Sequence, residues 1–288
     1  MPTNKWIAGA RPKTLPAAIA PVLVGTALRH SDHAPINILN ALLALTVSLA
    51  LQIGVNYAND YSDGIRGTDV VRVGPIRLVG SGLASPKAVK NAAILTFAFA
   101  AIIGIALSAR TSWWLVVVGA ISIIAAWRYT GGKNPYGYKG LGEISVFLFF
   151  GLVATMGSYV VQSHSLSWNS FLVSLPVGAL ACAILAINNL RDLPKDALVE
   201  KRTMAVRLGD RNARIAFIGL LAGAHLAAVV ASLITPWTLA TLLLLPITIQ
   251  IARGVWAGIT GADLIPILGK VGRLHLLLST TLAIALLV

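Results

Sequence analysis

ILNALLALTVSLALQIGVNYANDYSDGIRGTD, residues 38–69, decides the fold. No charged residue occurs in it before Asp60, and the uncharged run is long enough to cross a bilayer as a helix, which takes about 20 residues. Apolar and polar residues do not alternate along it, so an outer-membrane barrel is excluded. Three acids, Asp60, Asp63 and Asp69, follow at once where the apolar run ends.

The rest of the 288-residue chain repeats the pattern. Hydrophobic residues make up 57% and charged residues 11%, with mean hydropathy +0.80. A soluble domain carries roughly 25% charged residues, so a soluble globular fold is excluded, and disorder with it. Nine apolar spans are predicted, at about 14–29, 35–58, 88–109, 112–128, 141–162, 170–190, 214–235, 237–256 and 271–288. The fold class is all-α: a polytopic membrane bundle of nine transmembrane helices. The first span resembles a signal peptide, but eight more follow it, so it reads as an uncleaved helix. The whole chain, 1–288, reads as one intramembrane domain. Loops at about 59–87 and 191–213 form its polar cap.

The lone Cys182 forms no internal disulfide and no cysteine metal cluster. His225 and His275 lie in separate spans and read as isolated polar residues of a bundle rather than as haem ligands. The net charge of +13 would suggest nucleic acid in a soluble chain, but here its placement is topogenic. With nine spans, 21 of the 23 Lys and Arg fall on one side, and only Arg29 and Arg110 on the other. Arg11 and Lys139 are counted among the 21. The N-terminus is therefore expected in the cytoplasm and the C-terminus on the far side. The expected location is the cell inner (plasma) membrane, multi-pass, with the active-site loops cytoplasmic. No nucleic-acid partner is expected.

The ten acids are the more informative charges. Six fall in two stretches, NDYSDGIRGTD (59–69) and NNLRDLPKDALVE (188–200), at the expected cytoplasmic ends of the second and sixth spans. Asn56, Asp60 and Asp63 share one helix face by their spacing. Asn188, Asp192 and Asp196 repeat the Asn-x-x-x-Asp element, although Pro194 is expected to interrupt their helix. One such cluster beside a membrane reads as solvated charge. Two, matched in position and holding most of the acids, read as a site. Oxygen ligands without His or Cys suit Mg²⁺, which takes one or two carboxylates and completes its shell with substrate phosphates. Interleaved Arg and Lys suit the phosphates themselves. Together they fit a lipid-tailed diphosphate with its chain among the helices.

These residues resemble the UbiA superfamily of intramembrane aromatic prenyltransferases. The matching stretches are RPKTLPAAIAPVLVGTAL (11–28), NYANDYSDGIRGTD (56–69), RVGPIRLVGSG (72–82), YTGG (129–132), GLGE (140–143), FLFFG (147–151) and NNLRDLPKDALVEKRTMAVRLG (188–209). They run in order over nearly the whole chain and are most similar to the menaquinone branch. Gly67 stands where the wider superfamily often has an acid, and Asp69 takes that place here.

The resemblance implies transfer of a polyprenyl chain from polyprenyl diphosphate to 1,4-dihydroxy-2-naphthoate. Diphosphate and CO₂ are lost, and demethylmenaquinone forms. It implies Mg²⁺ as cofactor, with Asp60, Asp63, Asp69, Asp192 and Asp196 as metal residues. Arg66, Arg72, Arg191, Lys195, Lys201 and Arg202 are the candidates for phosphate charge. Asn56, Asn59 and Asn188 are candidate substrate-binding residues; for Asn56 and Asn188, as for Asn189, helix–helix hydrogen bonding reads equally well. For the acceptor, Lys139 is the candidate anchor of the carboxylate and Glu143 the candidate base. Tyr129, Tyr136 and Tyr138 read as membrane-interface markers. Two alternatives remain: a 4-hydroxybenzoate or homogentisate acceptor, and a transporter of an organic anion or lipid phosphate. A transporter places its site near the midplane, whereas these acids sit at the edge. Membrane lipid is the surrounding partner. Prenyl chain length and oligomeric state stay open.

Overall fold

The structure is a computed structural model that describes residues 4–67, 77–199 and 201–288. Asp69, Arg72 and Glu200 lie outside the described residues, so the roles expected of Asp69 and Arg72 and the acid at Glu200 stay with the sequence. Among the described residues every regular element is helical. A short helix, α1 (Lys5–Ala10), precedes nine longer ones. They are α2 (Pro16–Ser31), α3 (Ile38–Ile65), α4 (Pro86–Arg110), α5 (Trp114–Thr130), α6 (Gly142–Ser163), α7 (Trp168–Leu198), α8 (Met204–Leu233), α9 (Pro236–Trp256) and α10 (Gly261–Leu287). Among the described residues, seven of these, α3, α4 and α6–α10, are long and apolar enough to cross a membrane. The 17-residue α5 and the 16-residue α2 are shorter.

Local sequence sets the starts. Asn37, Ser85, Ser167 and Thr203 cap α3, α4, α7 and α8 by accepting a backbone N–H with their side chains. Pro16 and Pro86 sit in first turns, where a missing N–H costs nothing. Two ends differ from expectation. Helix α3 runs on to Ile65, past the end of the expected span at residue 58, so Asn56, Asp60 and Asp63 stand on the one helix face that their spacing predicts. Helix α7 continues through Pro194, which lies on an exposed side, so Asp192 and Asp196 are helical too. Helix α8 begins at Met204, ahead of its expected span, and turns at Gly209, whose φ of 74° needs no Cβ.

Helix α7 is the core of the bundle, with α8 along one side and α6 and α10 along others. Glycines let the helices close up. A Cβ on Gly25 of α2 would lie 2.2 Å from the Thr155 carbonyl oxygen of α6. One on Gly151 of α6 would meet the Gly178 backbone of α7 at 2.6 Å. Such small-residue contacts are how membrane helices approach each other without a hydrophobic driving force. Helix α6 also carries a π-helical turn over Phe147–Val153, facing the Gly178 region.

Candidate active site

The polar end of α3 is built around Asp60. Its buried carboxylate accepts the backbone N–H groups of Leu78 (2.8 Å) and Val79 (3.1 Å), which folds the turn after residue 76 back onto α3. One turn below, Asn56 donates to the Ala10 carbonyl and the Thr14 hydroxyl, tying α3 to the N-terminal segment. Asn59 accepts the Thr130 hydroxyl at 2.8 Å. Arg66 donates to the carbonyls of Thr130 and Gly132, so its contact is to the end of α5. Asp63 is buried, accepts the Tyr138 hydroxyl at 2.7 Å and lies 3.9 Å from Arg77.

The end of α7 supplies the second cluster. Arg191 grips its neighbour Asp192 with two hydrogen bonds of 2.8 Å, both side chains buried. Lys201 pairs with Asp196 at 3.6 Å. Arg191 Nη1 and Lys195 Nζ, one helical turn apart, are buried and have no hydrogen-bond partner among the described residues. Buried cationic donors in that state mark a place made for an anion.

Tyr138, on the short turn Tyr136–Lys139, joins the two clusters. Its hydroxyl reaches Asp63, and its ring lies 5.3 Å from the Arg66 guanidinium and 5.2 Å from Lys201. Tyr129 packs edge to face on Tyr136, with ring centroids 5.5 Å apart. Burial pushes the Tyr136 phenol up from its ordinary pKa, and its hydroxyl donates to the Ala125 carbonyl. The two acid clusters therefore face one space across these tyrosines.

Below that space a cavity of about 320 Å³ runs between α2, α3, α5, α6 and α7. Its head is polar, lined by Arg11, Thr14, Asn56, Asn59, Tyr129 and Asn188. Its lower wall is apolar, reaching Leu107 and Leu115 near the opposite ends of α4 and α5. An apolar channel under a polar head, close to the acid clusters, suits a ligand with a phosphate head and a hydrocarbon tail.

The expected acceptor residues divide. Glu143 is buried at the start of α6; its Oε1 accepts from Asn189 at 2.9 Å, and Oε2 has no partner among the described residues. Lys139 is exposed and does not line the cavity, because the turn directs Tyr136 and Tyr138 inward and Lys139 outward. The anchoring role expected of Lys139 has no geometric support. Arg202 is likewise exposed, beside Asp196 and Arg207 at the surface. Asn188 lines the cavity while donating to Ile184 of its own helix. Two placements go beyond what the sequence predicts: Tyr138, expected as an interface marker, reaches Asp63, and Arg11, expected as topogenic charge, lines the cavity, because only tertiary packing brings either there. His225 donates to or accepts from Thr248, the bland role expected of it.

No three acidic, His or Cys side chains converge on a metal position among the described residues. Mg²⁺ does not require that: one or two carboxylates suffice when phosphate oxygens complete the shell. The donor set at the mouth, four buried carboxylates beside the buried Arg191 Nη1 and Lys195 Nζ that have no hydrogen-bond partner among the described residues, fits a metal-bound diphosphate.

Residues 18–264 match the UbiA prenyltransferase family. A Mycobacterium tuberculosis protein named 1,4-dihydroxy-2-naphthoate octaprenyltransferase is 49% identical, covering 98% of this chain and 96% of its own. The Escherichia coli protein of the same name is 41% identical over 88% of this chain and 85% of its own. A UbiA homologue from Archaeoglobus fulgidus, solved bound to DMAPP and Mg²⁺, shares the fold with a TM-score of 0.69 at 16% identity, over 99% of both chains.

Proposed function

Because the chain belongs to the UbiA prenyltransferase family, we propose that it transfers a polyprenyl chain from its diphosphate to 1,4-dihydroxy-2-naphthoate in menaquinone biosynthesis. The observation that carries this reading is that the two buried acid clusters, with the buried Arg191 Nη1 and Lys195 Nζ, end the same two helices whose Asn56, Asn59 and Asn188 line the head of the apolar cavity. Asp60, Asp63, Asp192 and Asp196 hold Mg²⁺, which when bound neutralises charge on the departing diphosphate. Arg191, Lys195, Lys201 and Arg77 receive the phosphate oxygens, and the tail lies along Leu107 and Leu115. Asp69 and Arg72 join these groups by sequence position.

The allylic carbon–oxygen bond breaks, and its electron pair leaves with the diphosphate. The ring carbon that carries the carboxylate bonds to the allylic carbon. The carbon–carboxylate bond then breaks, its electrons restore the aromatic ring, and CO₂ departs, giving the quinol form of demethylmenaquinone. Cavity walls of Val, Leu and Phe keep water from the cationic carbon. Glu143, held by Asn189, orients a ring hydroxyl.

The topology in this reading has nine membrane crossings, α2 and α5 included, as one intramembrane domain. The N-terminus and both acid clusters lie on the cytoplasmic side of the plasma membrane. The 21-to-2 distribution of basic residues supports it.

The test supplies Mg²⁺, a polyprenyl diphosphate and acceptor labelled at the carboxyl carbon. One labelled CO₂ should appear per prenyl group transferred, and chelation of Mg²⁺ should stop both. Label retained in the lipid product, or turnover of 4-hydroxybenzoate but not of the naphthoate, would overturn the assignment.

A further inference from the structure

We propose that Arg11 is the residue that selects a carboxylate-bearing aromatic acceptor, a deepening that rests on the proposed function. Of all the described residues that line the cavity, Arg11 alone is charged. Its guanidinium makes one hydrogen bond, from Nη2 to the Asn56 carbonyl at 3.2 Å, and has no carboxylate partner among the described residues. Asn56 is one turn from Asp60 on α3, so this cation sits next to the reacting end rather than at the tail.

The backbone there is unusual twice over. Arg11 adopts φ 53° and ψ 70°, the left-handed region that non-glycine residues seldom enter. It also precedes Pro12, and a residue before proline is ordinarily pushed to an extended conformation. The conformation is held from both sides. The Arg11 N–H donates to the Ala8 carbonyl at 3.1 Å, and the Arg11 carbonyl accepts the Thr14 N–H and hydroxyl, each at 2.9 Å. Strain that the surroundings over-determine in this way is found where a side chain must be aimed. Here it aims a cation into an otherwise uncharged cavity beside Tyr129 and Tyr136, whose rings meet edge to face.

The chemistry of the occupant follows. A diphosphate has its own cations at the mouth: Arg77, Arg191, Lys195 and Lys201. A single guanidinium among aromatic and amide side chains fits a monoanionic group on a flat apolar ring. The planar fork of Arg matches a carboxylate with two parallel hydrogen bonds. The pairing also suits loss of CO₂. The anchor acts on the bound acceptor and loses its partner once the carboxylate leaves as a neutral molecule. It therefore contributes to KM more than to kcat.

The test compares two acceptors, 1,4-dihydroxy-2-naphthoate and 1,4-dihydroxynaphthalene, which lacks the carboxylate. The variants are Arg11→Gln and Arg11→Asn. Asparagine tolerates the left-handed backbone, so that variant keeps the test usable if the glutamine variant misfolds. Removing one charge-assisted pair should raise KM for the naphthoate by about ten- to a hundredfold. The KM for polyprenyl diphosphate and the inhibition constant of 1,4-dihydroxynaphthalene should stay within about twofold of wild type, a small margin beside that effect. An unchanged naphthoate KM, or an equal rise in the diphosphate KM, would overturn the role of Arg11 while leaving the proposed function standing. Wild-type protein that does not prenylate the naphthoate at all would overturn both.

Discussion

Asp60 and Asp192 occupy equivalent places on α3 and α7 but are held differently, and the difference is measurable. Asp60 accepts two backbone N–H groups of a turn that folds over it, whereas Asp192 is gripped by the adjacent Arg191. Replacing either by Asn removes a charge at which transition-state charge is neutralised, so turnover should fall at least roughly a hundredfold in both. Stability should separate them. The Asn amide in Asp60→Asn turns a donor toward amide donors, leaving one unpaired at a cost of about 1–3 kcal/mol. Asp192→Asn likewise turns a donor toward one Arg191 donor, and it also leaves the buried guanidinium without its counter-charge, a loss of about 3–5 kcal/mol. Thermal unfolding should therefore show a clear loss for Asp60→Asn and a larger one for Asp192→Asn; near-normal turnover in either would break the two-cluster site. Tyr138→Phe is a gentler probe. It removes the hydroxyl that reaches Asp63 but keeps the ring between Arg66 and Lys201. A hydrogen bond to a charged group is worth about 1.5–3 kcal/mol, so kcat/KM should fall by roughly ten- to a hundredfold. An effect below twofold would mean that Tyr138 is a bystander.

At the scale of elements, helix length explains where the acids stand. The 28 residues of α3 and 31 of α7 extend about 42 and 46 Å, well beyond a hydrocarbon core of about 30 Å. In the proposed topology their polar last turns project from the bilayer and carry the acids on rigid scaffolds. Hydropathy locates the nine apolar helices but not these ends, because it reports depth in lipid and not where hydrogen bonding stops. That is why Asp60, Asp63, Asp192 and Asp196 are legible as a site by type and spacing, and Asn56, Asp60 and Asp63 as one helix face, while the run of α3 to Ile65 and of α7 through Pro194 is not. Arg11 and Tyr138 were not legible as site residues, since charge counting and interface statistics describe single residues without their neighbours in space. The glycine contacts were equally hidden, and they set the helix spacing. Gly25→Ala would press a methyl against the Thr155 carbonyl, and overpacking of this kind costs about 1–3 kcal/mol. The melting temperature of Gly25→Ala should drop, while Gly219→Ala, where a Cβ meets open space, should leave it unchanged. Equal behaviour of the two would show that α2 and α6 are not in close contact.

For the whole molecule, the decisive property is sidedness, because the acceptor, Mg²⁺ and diphosphate must reach the same face. The helices put both acid clusters, the Tyr136–Lys139 turn and the N-terminal segment at one end of the bundle. The contacts of Arg66 with Thr130, of Tyr138 with Asp63 and of Asn56 with Ala10 join these segments there. The opposite end holds its own polar network, in which Tyr159 donates to Asp32 and Gln162 receives the Asn37 N–H. The topology proposed above, from retention of Lys and Arg, puts the first end in the cytoplasm. Single cysteines test the assignment in a Cys182→Ala background, where the native thiol is buried in any case. Lys133→Cys and Leu198→Cys replace exposed residues at the acid-cluster end, and His33→Cys an exposed residue at the other. An impermeant thiol reagent should label the first two only in inside-out vesicles and the third only in right-side-out ones. If Lys133→Cys and Leu198→Cys labelled from opposite sides, an odd number of crossings would be missing between α5 and α7, and the two clusters would not share a site. If all three labelled in the reverse sense, the fold would stand. The substrates would then have to reach the site from the opposite face, and the cytoplasmic placement of the acid clusters would be overturned.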